Sequence, residues 1–408
     1  MYQYPVFINL IKNFTNLEIF SIGLLFIPII YWSAPKKIRF WFISLISLGI
    51  IGFFDILSLA IIFSAAIIVD IGIRLKKTYP KKTNNILFFS SIFVLIALLI
   101  SKLMMAFSII IYEEFNFEVF LPLGISYYSF KLIHFVVEYT RKGANLPYKT
   151  DQFILYLFLP TIFFAGPIQR YDLFLANIEN NFSWESITYG LTRIAYGLIK
   201  QFFIIGLIIN QSTLEIFQEL HLSGPLDQIK TPTIWFFLLI FYLKIYLNFS
   251  AYTDLAIGAS RVFGFRIMEN FNWPIFAITI DNFWQRWHMT LSYWCREYIY
   301  FPILSIYRRP ILASYATFAI IGLWHSFSLN RLFWGLMHGT ALVVYFFLKK
   351  KRKSANKMEN IFLKQAQNIF SWGVTQAFVT ISMSALVIEG NDVYQVYLIL
   401  CKLFFITI

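Results

Sequence analysis

The sequence predicts an all-α polytopic membrane protein with about 10–12 transmembrane helices, plus re-entrant and interfacial helices around a central funnel. Three observations predict it. Of 408 residues, 59% are hydrophobic, Phe alone occurs 47 times and only 13% are charged. A soluble domain of this length carries about 25% charged residues. Apolar runs of about 20 residues recur from end to end, each long enough to cross a ~30 Å hydrocarbon core. These runs lack strict alternation, so their backbone hydrogen bonds must close within helices rather than around a barrel.

The first spans fall near residues 17–34, 39–53, 55–73 and 86–112. Lys36, Lys37 and Arg39 form one basic cluster, and Arg74-Leu75-Lys76-Lys77-Thr78-Tyr79-Pro80-Lys81-Lys82 forms a second. Lys349-Lys350-Lys351-Arg352-Lys353 forms a third. The positive-inside rule places all three in the cytoplasm. The stretch between the first two fits a helical hairpin returning to the same side. The middle of the chain differs. Pro122, Gly124, His134, Glu138, Gly166, Pro167 and Arg170 interrupt residues 119–172. Asn248, Asp254, Arg261, Glu269, Asn270, Asn272, Pro274 and Asp281 interrupt residues 245–302. Broken backbone at membrane depth survives only where protein or a water-filled cavity surrounds it. Short, tilted and re-entrant helices are therefore expected there, within a shell of plainer ones. Further spans lie near 187–212, 233–252, 311–327, 331–348, 369–389 and 394–408.

The chain reads as a single integral membrane domain, 1–408, with a core at 119–348 and flanking helices at 1–118 and 349–408. No internal repeat is visible, and the polar connection 349–368 is too short to fold alone. The first 16 residues lack a small-residue cleavage site, so the first span is expected to remain as an anchor. The net charge is +13. Its basic residues sit in short loops, which fits orientation and contact with anionic membrane lipid rather than nucleic acid. The two cysteines, Cys295 and Cys401, imply neither a disulfide framework nor a zinc site.

Two of the five histidines, His325 and His338, fall in sequence expected to be membrane-buried. Titratable side chains are costly there and mark chemistry, ion passage or a specific partner. Ser328, Asn330 and Arg331 resemble a turn between two spans, so the histidines are expected to face each other from successive helices. A neutral imidazole in such a pocket can accept a proton from an attacking hydroxyl. No carboxylate or third ligand stands at metal-binding spacing nearby. The densest polar stretch runs from Asp281 to Pro302. Asp281, Gln285, His288 and Ser292 recur at three- and four-residue steps, one face of a helix. With Phe283, Trp287 and Trp294 on the remainder, it suits either an interfacial anchor or a helix lining the entrance to a site. His134 reads as structural or a pocket wall, and His221 as exposed. No phosphate loop, nucleophile elbow or catalytic carboxylate pair is present. A transporter would also explain broken helices and buried histidines. Against it, no pseudo-symmetric halves are visible.

Asn282-Phe283-Trp284-Gln285-Arg286-Trp287-His288-Met289-Thr290-Leu291-Ser292 resembles the signature of the membrane-bound O-acyltransferases. Gly322-Leu323-Trp324-His325 resembles the segment around that family's catalytic histidine, and Trp334-Gly335-Leu336-Met337-His338-Gly339 the next block. Leu121–Tyr127, Ala165–Tyr171, Asn248–Gly258 and Glu269–Pro274 agree with its bacterial branch. The resemblance covers about residues 119–348 and extends to alginate O-acetyltransferases and to the D-alanyl transfer protein of teichoic acid synthesis. One departure stands out: the family carries Gly after the catalytic His, and this chain has Ser326.

The resemblance implies an O-acyltransferase of the bacterial cytoplasmic membrane with no tightly bound cofactor. A thioester donor, acetyl-CoA or an acyl carrier protein, would approach from the cytoplasm. The acyl group would pass to hydroxyls of an extracytoplasmic polysaccharide, directly or through a partner acyltransferase outside; D-alanyl transfer to teichoic acid is the alternative. His325 would serve as general base and His338 as support. His288, Asp281, Arg286, Trp287, Ser292, Trp324 and Asn282 would line the funnel or donor entrance.

Overall fold

The computed structural model describes residues 26–75, 93, 96, 100, 124–143, 146–163, 166–179, 181–209, 229–353, 361–388 and 391–404. Residues 26–33 are helical. In chain order there follow α1 (Lys36–Phe54), α2 (Ile56–Leu75), α3 (Ile125–Lys142), α4 (Thr150–Phe158), α5 (Tyr171–Ala176) and α6 (Trp184–Leu198). A π-helix occupies Ile199–Ile209. Then come α7 (Thr231–Val262), α8 (Ile280–Trp284), α9 (Met289–Cys295), α10 (Phe301–Tyr307), α11 (Pro310–His325) and α12 (Leu329–Lys353). The last three are α13 (Ile361–Ser382), α14 (Ser384–Val387) and α15 (Val393–Leu403). Among the described residues there is no strand beyond the single bridge Ile178–Phe265.

Six of these helical segments are long and apolar enough to cross a membrane, and α11 and α15 are shorter apolar helices. The chain is an all-α, polytopic membrane protein. The span expected near 86–112 and His221 lie outside the described residues, apart from isolated positions of the former.

The chain divides into two compact units. The first comprises residues 1–101, 119–196 and 253–268. Here α1 and α2 form the expected hairpin. It turns on Asp55, whose carboxylate accepts from the Leu57 and Ser58 N–H groups (both 3.0 Å) and so caps α2. Asp70 holds Arg74 (2.8 Å) and the Thr150 hydroxyl (2.8 Å), tying the end of α2 to the start of α4. At nine residues α4 is about 14 Å long, too short to span, and its residues 153–158 are all buried. A short helix enclosed by protein is what the polar interruptions imply. Its last carbonyls are met by a buried lysine, because Lys131 Nζ on α3 donates to Tyr156 O (3.2 Å) and Leu157 O (2.5 Å). His134 accepts the Tyr171 N–H (3.1 Å) and is structural, as its setting suggests. Gly190 on α6 faces Gly258 on α7 so closely that a Cβ at either would lie 2.5–2.7 Å from the other's carbonyl oxygen. Beside this crossing Arg193 pairs with Asp254 at 2.6 Å.

The second unit comprises residues 102–118, 197–252 and 269–408. Its centre is the α11–α12 hairpin. Gly322 and Gly335 let these helices touch backbone to backbone: a Cβ at Gly322 would lie 2.2 Å from Arg331 O, and one at Gly335 2.2 Å from Phe318 O. Glycine is required here by close approach, not by φ. The polar turn is shorter than the sequence suggests. Asn330 and Arg331 already belong to the first turn of α12, leaving Ser326–Ser328 as the connection. They tether the hairpin instead, donating to Ile388 O (3.1 Å) and Ala385 O (3.0 Å). On α13, Trp372, Thr375 and Gln376 donate to carbonyls of the irregular segment 274–278, which replaces the hydrogen bonds that a helix would supply.

Candidate active site

The site is built in the second unit, from the irregular segment before α8, the break between α8 and α9, and the α11–α12 hairpin. The break corrects the sequence reading. Asp281, Gln285, His288 and Ser292 do not share one helical face, because α8 ends at Trp284 and the chain turns before α9 begins. His288 occupies that turn in the left-handed region (φ 41°), as N-cap of α9. Such a conformation is strained for a side chain with a Cβ and needs surrounding contacts to hold it.

Asn270 supplies them. It is fully buried, and its backbone carbonyl accepts the Met289 N–H (2.8 Å). Its side-chain Oδ1 accepts from Thr290 Oγ1 (2.9 Å), Thr290 N–H (3.4 Å) and His288 Nδ1 (2.9 Å). The backbone N–H can only donate, so the atom facing it is the amide oxygen and the His288 proton sits on Nδ1. Nε2 then carries the lone pair. It is buried and meets no hydrogen-bond partner among the described residues. Phe249 lies edge-on to the ring at 4.7 Å and Trp324 at 6.4 Å. Burial pulls the imidazole down to about 3, so the ring is neutral at any physiological pH.

The neighbours expected to line an entrance mostly hold this turn together. Asn282 opens α8 by donating its N–H to Thr279 Oγ1 (3.1 Å), and its side chain accepts from Arg286 Nε (3.1 Å). Arg286 also reaches Asn272 O (3.1 Å). Ser292 donates to Trp287 O (3.2 Å). Trp287 stacks on Phe283 and packs on Tyr242, Tyr246 and Phe271. Asp281 is half-buried in the first turn of α8, where a carboxylate favours the helix N-terminus.

His325 is the last residue of α11 and half-buried. Its ring lies 4.6 Å from Trp324 and 5.7 Å from Trp334. His338 is fully buried, 4.7 Å from the same Trp334 and 5.2 Å from Trp284. The two histidines therefore share one indole as a common wall. Ser382 fixes the second ring. Its hydroxyl donates to Val379 O (2.7 Å) and so accepts from His338 Nε2 (3.1 Å), which leaves the lone pair on Nδ1. Ser326, where a glycine is expected, has φ −159° and ψ 141°. That is extended backbone open to any residue, so the departure strains nothing.

Residues 147–385, which contain every one of these groups, match the membrane-bound O-acyltransferase family. The chain belongs to that family.

Among its curated relatives is the protein named probable alginate O-acetylase of Azotobacter vinelandii, 32% identical over 236 residues, which are 56% of this chain and 45% of the relative. The teichoic acid D-alanyltransferase of Bacillus subtilis is 31% identical, covering 57% of this chain and 60% of the relative. The peptidoglycan O-acetyltransferase of Helicobacter pylori is 27% identical, covering 64% and 53%. The chain thus spans about half the length of the curated relatives it matches. Within the matched segment, Asn270, Trp334, Ser382 and Phe249 are the candidate-site residues that sequence reasoning passed over. Asn270 left a trace, as an amide in the motif Glu269–Pro274. Ser382 left none, since it lies far along the chain from His338. Among the described residues no group of three His, Cys, Asp or Glu side chains could hold a metal.

Proposed function

We propose that this chain is an O-acyltransferase of a bacterial cytoplasmic membrane that moves an acyl group from a cytoplasmic thioester to a hydroxyl of an extracytoplasmic cell-surface polymer. The observation that carries this reading is that two imidazoles in different settings both lie against Trp324 in the matched segment. His288 is held neutral with an unpartnered Nε2 lone pair, and His325 stands half-buried at the end of α11. In the step proposed, His325 takes the proton of the acceptor hydroxyl as the oxygen attacks the thioester carbonyl. The C–O bond forms, the C–S bond breaks, and the proton passes to the leaving thiolate. The neutral His288 lies beside Trp324 and orients the donor or acceptor. His338 stiffens Trp334 behind His325.

Acetyl is the group favoured by the relatives named for acetyl transfer to alginate and peptidoglycan. D-alanyl transfer to teichoic acid is the second reading, and the larger share of the Bacillus subtilis relative that is covered favours it. An acyl carrier protein or coenzyme A thioester would be the donor, and an acyltransferase outside the membrane could relay the group. Family membership favours acyl transfer over transport of a solute. The test is mass spectrometry of surface polymers from cells carrying the chain, its His325→Ala variant, or neither. A specific O-acyl ester should appear with the first alone, with equal membrane levels of both proteins. Esters retained in His325→Ala would refute the assignment.

A further inference from the structure

The first unit holds a cavity of about 430 Å³ that plays no part in the histidine site. Lys36, Lys37, Arg39 and Lys149 line it, together with Asp151 and Glu179. Among the described residues four cations face two carboxylates; Arg39 donates to Ala34 O (2.9 Å) and Trp32 O (2.8 Å), and one carboxylate is already spent. Glu179 binds Arg261 at 2.9 Å and Arg266 at 2.6 Å, and accepts from the Ser186 hydroxyl at 2.5 Å. Lys36 donates to a neutral acceptor, Asn181 Oδ1 (2.7 Å). The exposed Lys37 and Lys149 form no ion pair with any described residue. The cavity therefore carries an excess of positive charge. It lies where both basic ends of the α1–α2 hairpin meet α4, since Arg74 reaches Thr150 (2.7 Å) beside Lys149. Both α1 and α4 start without a side-chain cap, which adds to the positive potential but is secondary to the lysines.

What leads away from the cavity identifies the ligand. Lys37 heads a stripe on α1 that continues through Trp41 and Leu45 at four-residue steps. Those two apolar side chains are 42% and 62% exposed, on a helix long enough to span the bilayer. A soluble phosphate needs only the cations. A cationic pocket whose Lys37 stands one turn before an exposed apolar stripe on the same helix fits an amphiphile, its head on the lysines and its chains along the helix.

We propose that this cavity binds the phosphate headgroup of an anionic glycerophospholipid, with the acyl chains laid along Trp41 and Leu45. The test uses the purified full chain, delipidated in neutral detergent, with binding read by native mass spectrometry. The probes are dioctanoyl phosphatidylglycerol, dioctanoyl phosphatidylcholine, inorganic phosphate and coenzyme A. Phosphatidylglycerol should bind in preference to phosphatidylcholine. The K37A/K149A pair should weaken its binding roughly 30-fold, each surface lysine contributing about fivefold. K37R/K149R should retain it, which separates charge loss from misfolding. Equal binding of the two lipids, or an unchanged preference in K37A/K149A, overturns the proposal. So does displacement of phosphatidylglycerol by inorganic phosphate or coenzyme A at equal concentration, which would assign the cavity to a soluble phosphate ligand. None of these readouts depends on acyl transfer.

Discussion

Replacing Gly335 by alanine tests whether the backbone contact between α11 and α12 sets the site. The new Cβ would lie 2.2 Å from Phe318 O and 3.0 Å from Phe318 C, whereas real Cβ contacts essentially never fall below 3.0 Å. The helices must separate by about 0.8 Å, because the obstacle is backbone and cannot rotate away. Phe318 has no room to yield: it is buried and packs edge-on against Trp284 at 4.9 Å. Overpacking of this kind destabilises by about 1–3 kcal/mol. The adjacent Trp334 carries the wall shared by His325 and His338, so the shift enters the site directly. Misplacement by about 1 Å can lower a rate about 10²-fold. The assay is acyl ester per unit of surface polymer in cells lacking their own copy, alongside thermal unfolding of the purified protein. Gly373→Ala is the internal control, since nothing lies within 4 Å of its added Cβ. G335A should lose most activity and melt earlier, while G373A stays at the wild-type level. Wild-type activity and melting in G335A, or equal damage in G373A, would refute the reasoning.

Asn270→Ala removes the acceptor that fixes the His288 proton on Nδ1, and should lower transfer about 10²-fold through loss of positioning at unchanged membrane abundance, scored by the same polymer assay. Acid stability should also depend on His288. Its folded value of about 3 lies below its ordinary 6.5, so the unfolded chain binds the extra proton. The contribution is complete above pH 6.5 and is lost as pH falls toward 3, with a slope of about 1.4 kcal/mol per pH unit between them. Thermal melts at pH 7.5 and 4.5 should show a larger acid loss for wild type than for His288→Gln. Arg193→Met or Asp254→Asn alone should destabilise by about 3–5 kcal/mol, and the double variant by less than the two effects added. A double-mutant cycle on denaturation midpoints checks this. Ser326→Gly should leave transfer within about twofold of wild type, because φ −159° asks nothing of glycine.

Much of the site was legible as residue types and little of it as geometry. His325 and His338 announce themselves because imidazoles are rare in apolar sequence. Asn330 and Arg331 read as a turn since polar residues between spans usually are one; tethers to Ile388 O and Ala385 O draw them into α12 instead. The Asp281–Ser292 periodicity misled for a definite reason. Three- and four-residue spacing records only what a helix could do. The Asn270 side chain, from outside the segment, makes the left-handed turn at His288 the better-bonded state.

The sequence by itself determined that this chain is helical and membrane-embedded, that α1 and α2 return to one side, and which imidazoles were candidates. Length, hydropathy and basic clusters suffice for that, because a bilayer permits few ways to satisfy a backbone. Only the tertiary structure decided which nitrogen of His288 and of His338 carries the proton, that Trp334 packs against both His338 and His325, and that Ser326 sits in extended backbone. Those properties rest on hydrogen bonds from Asn270 and Ser382 and on a 2.2 Å constraint between two helices. Each joins residues whose separation along the chain carries no periodic signal.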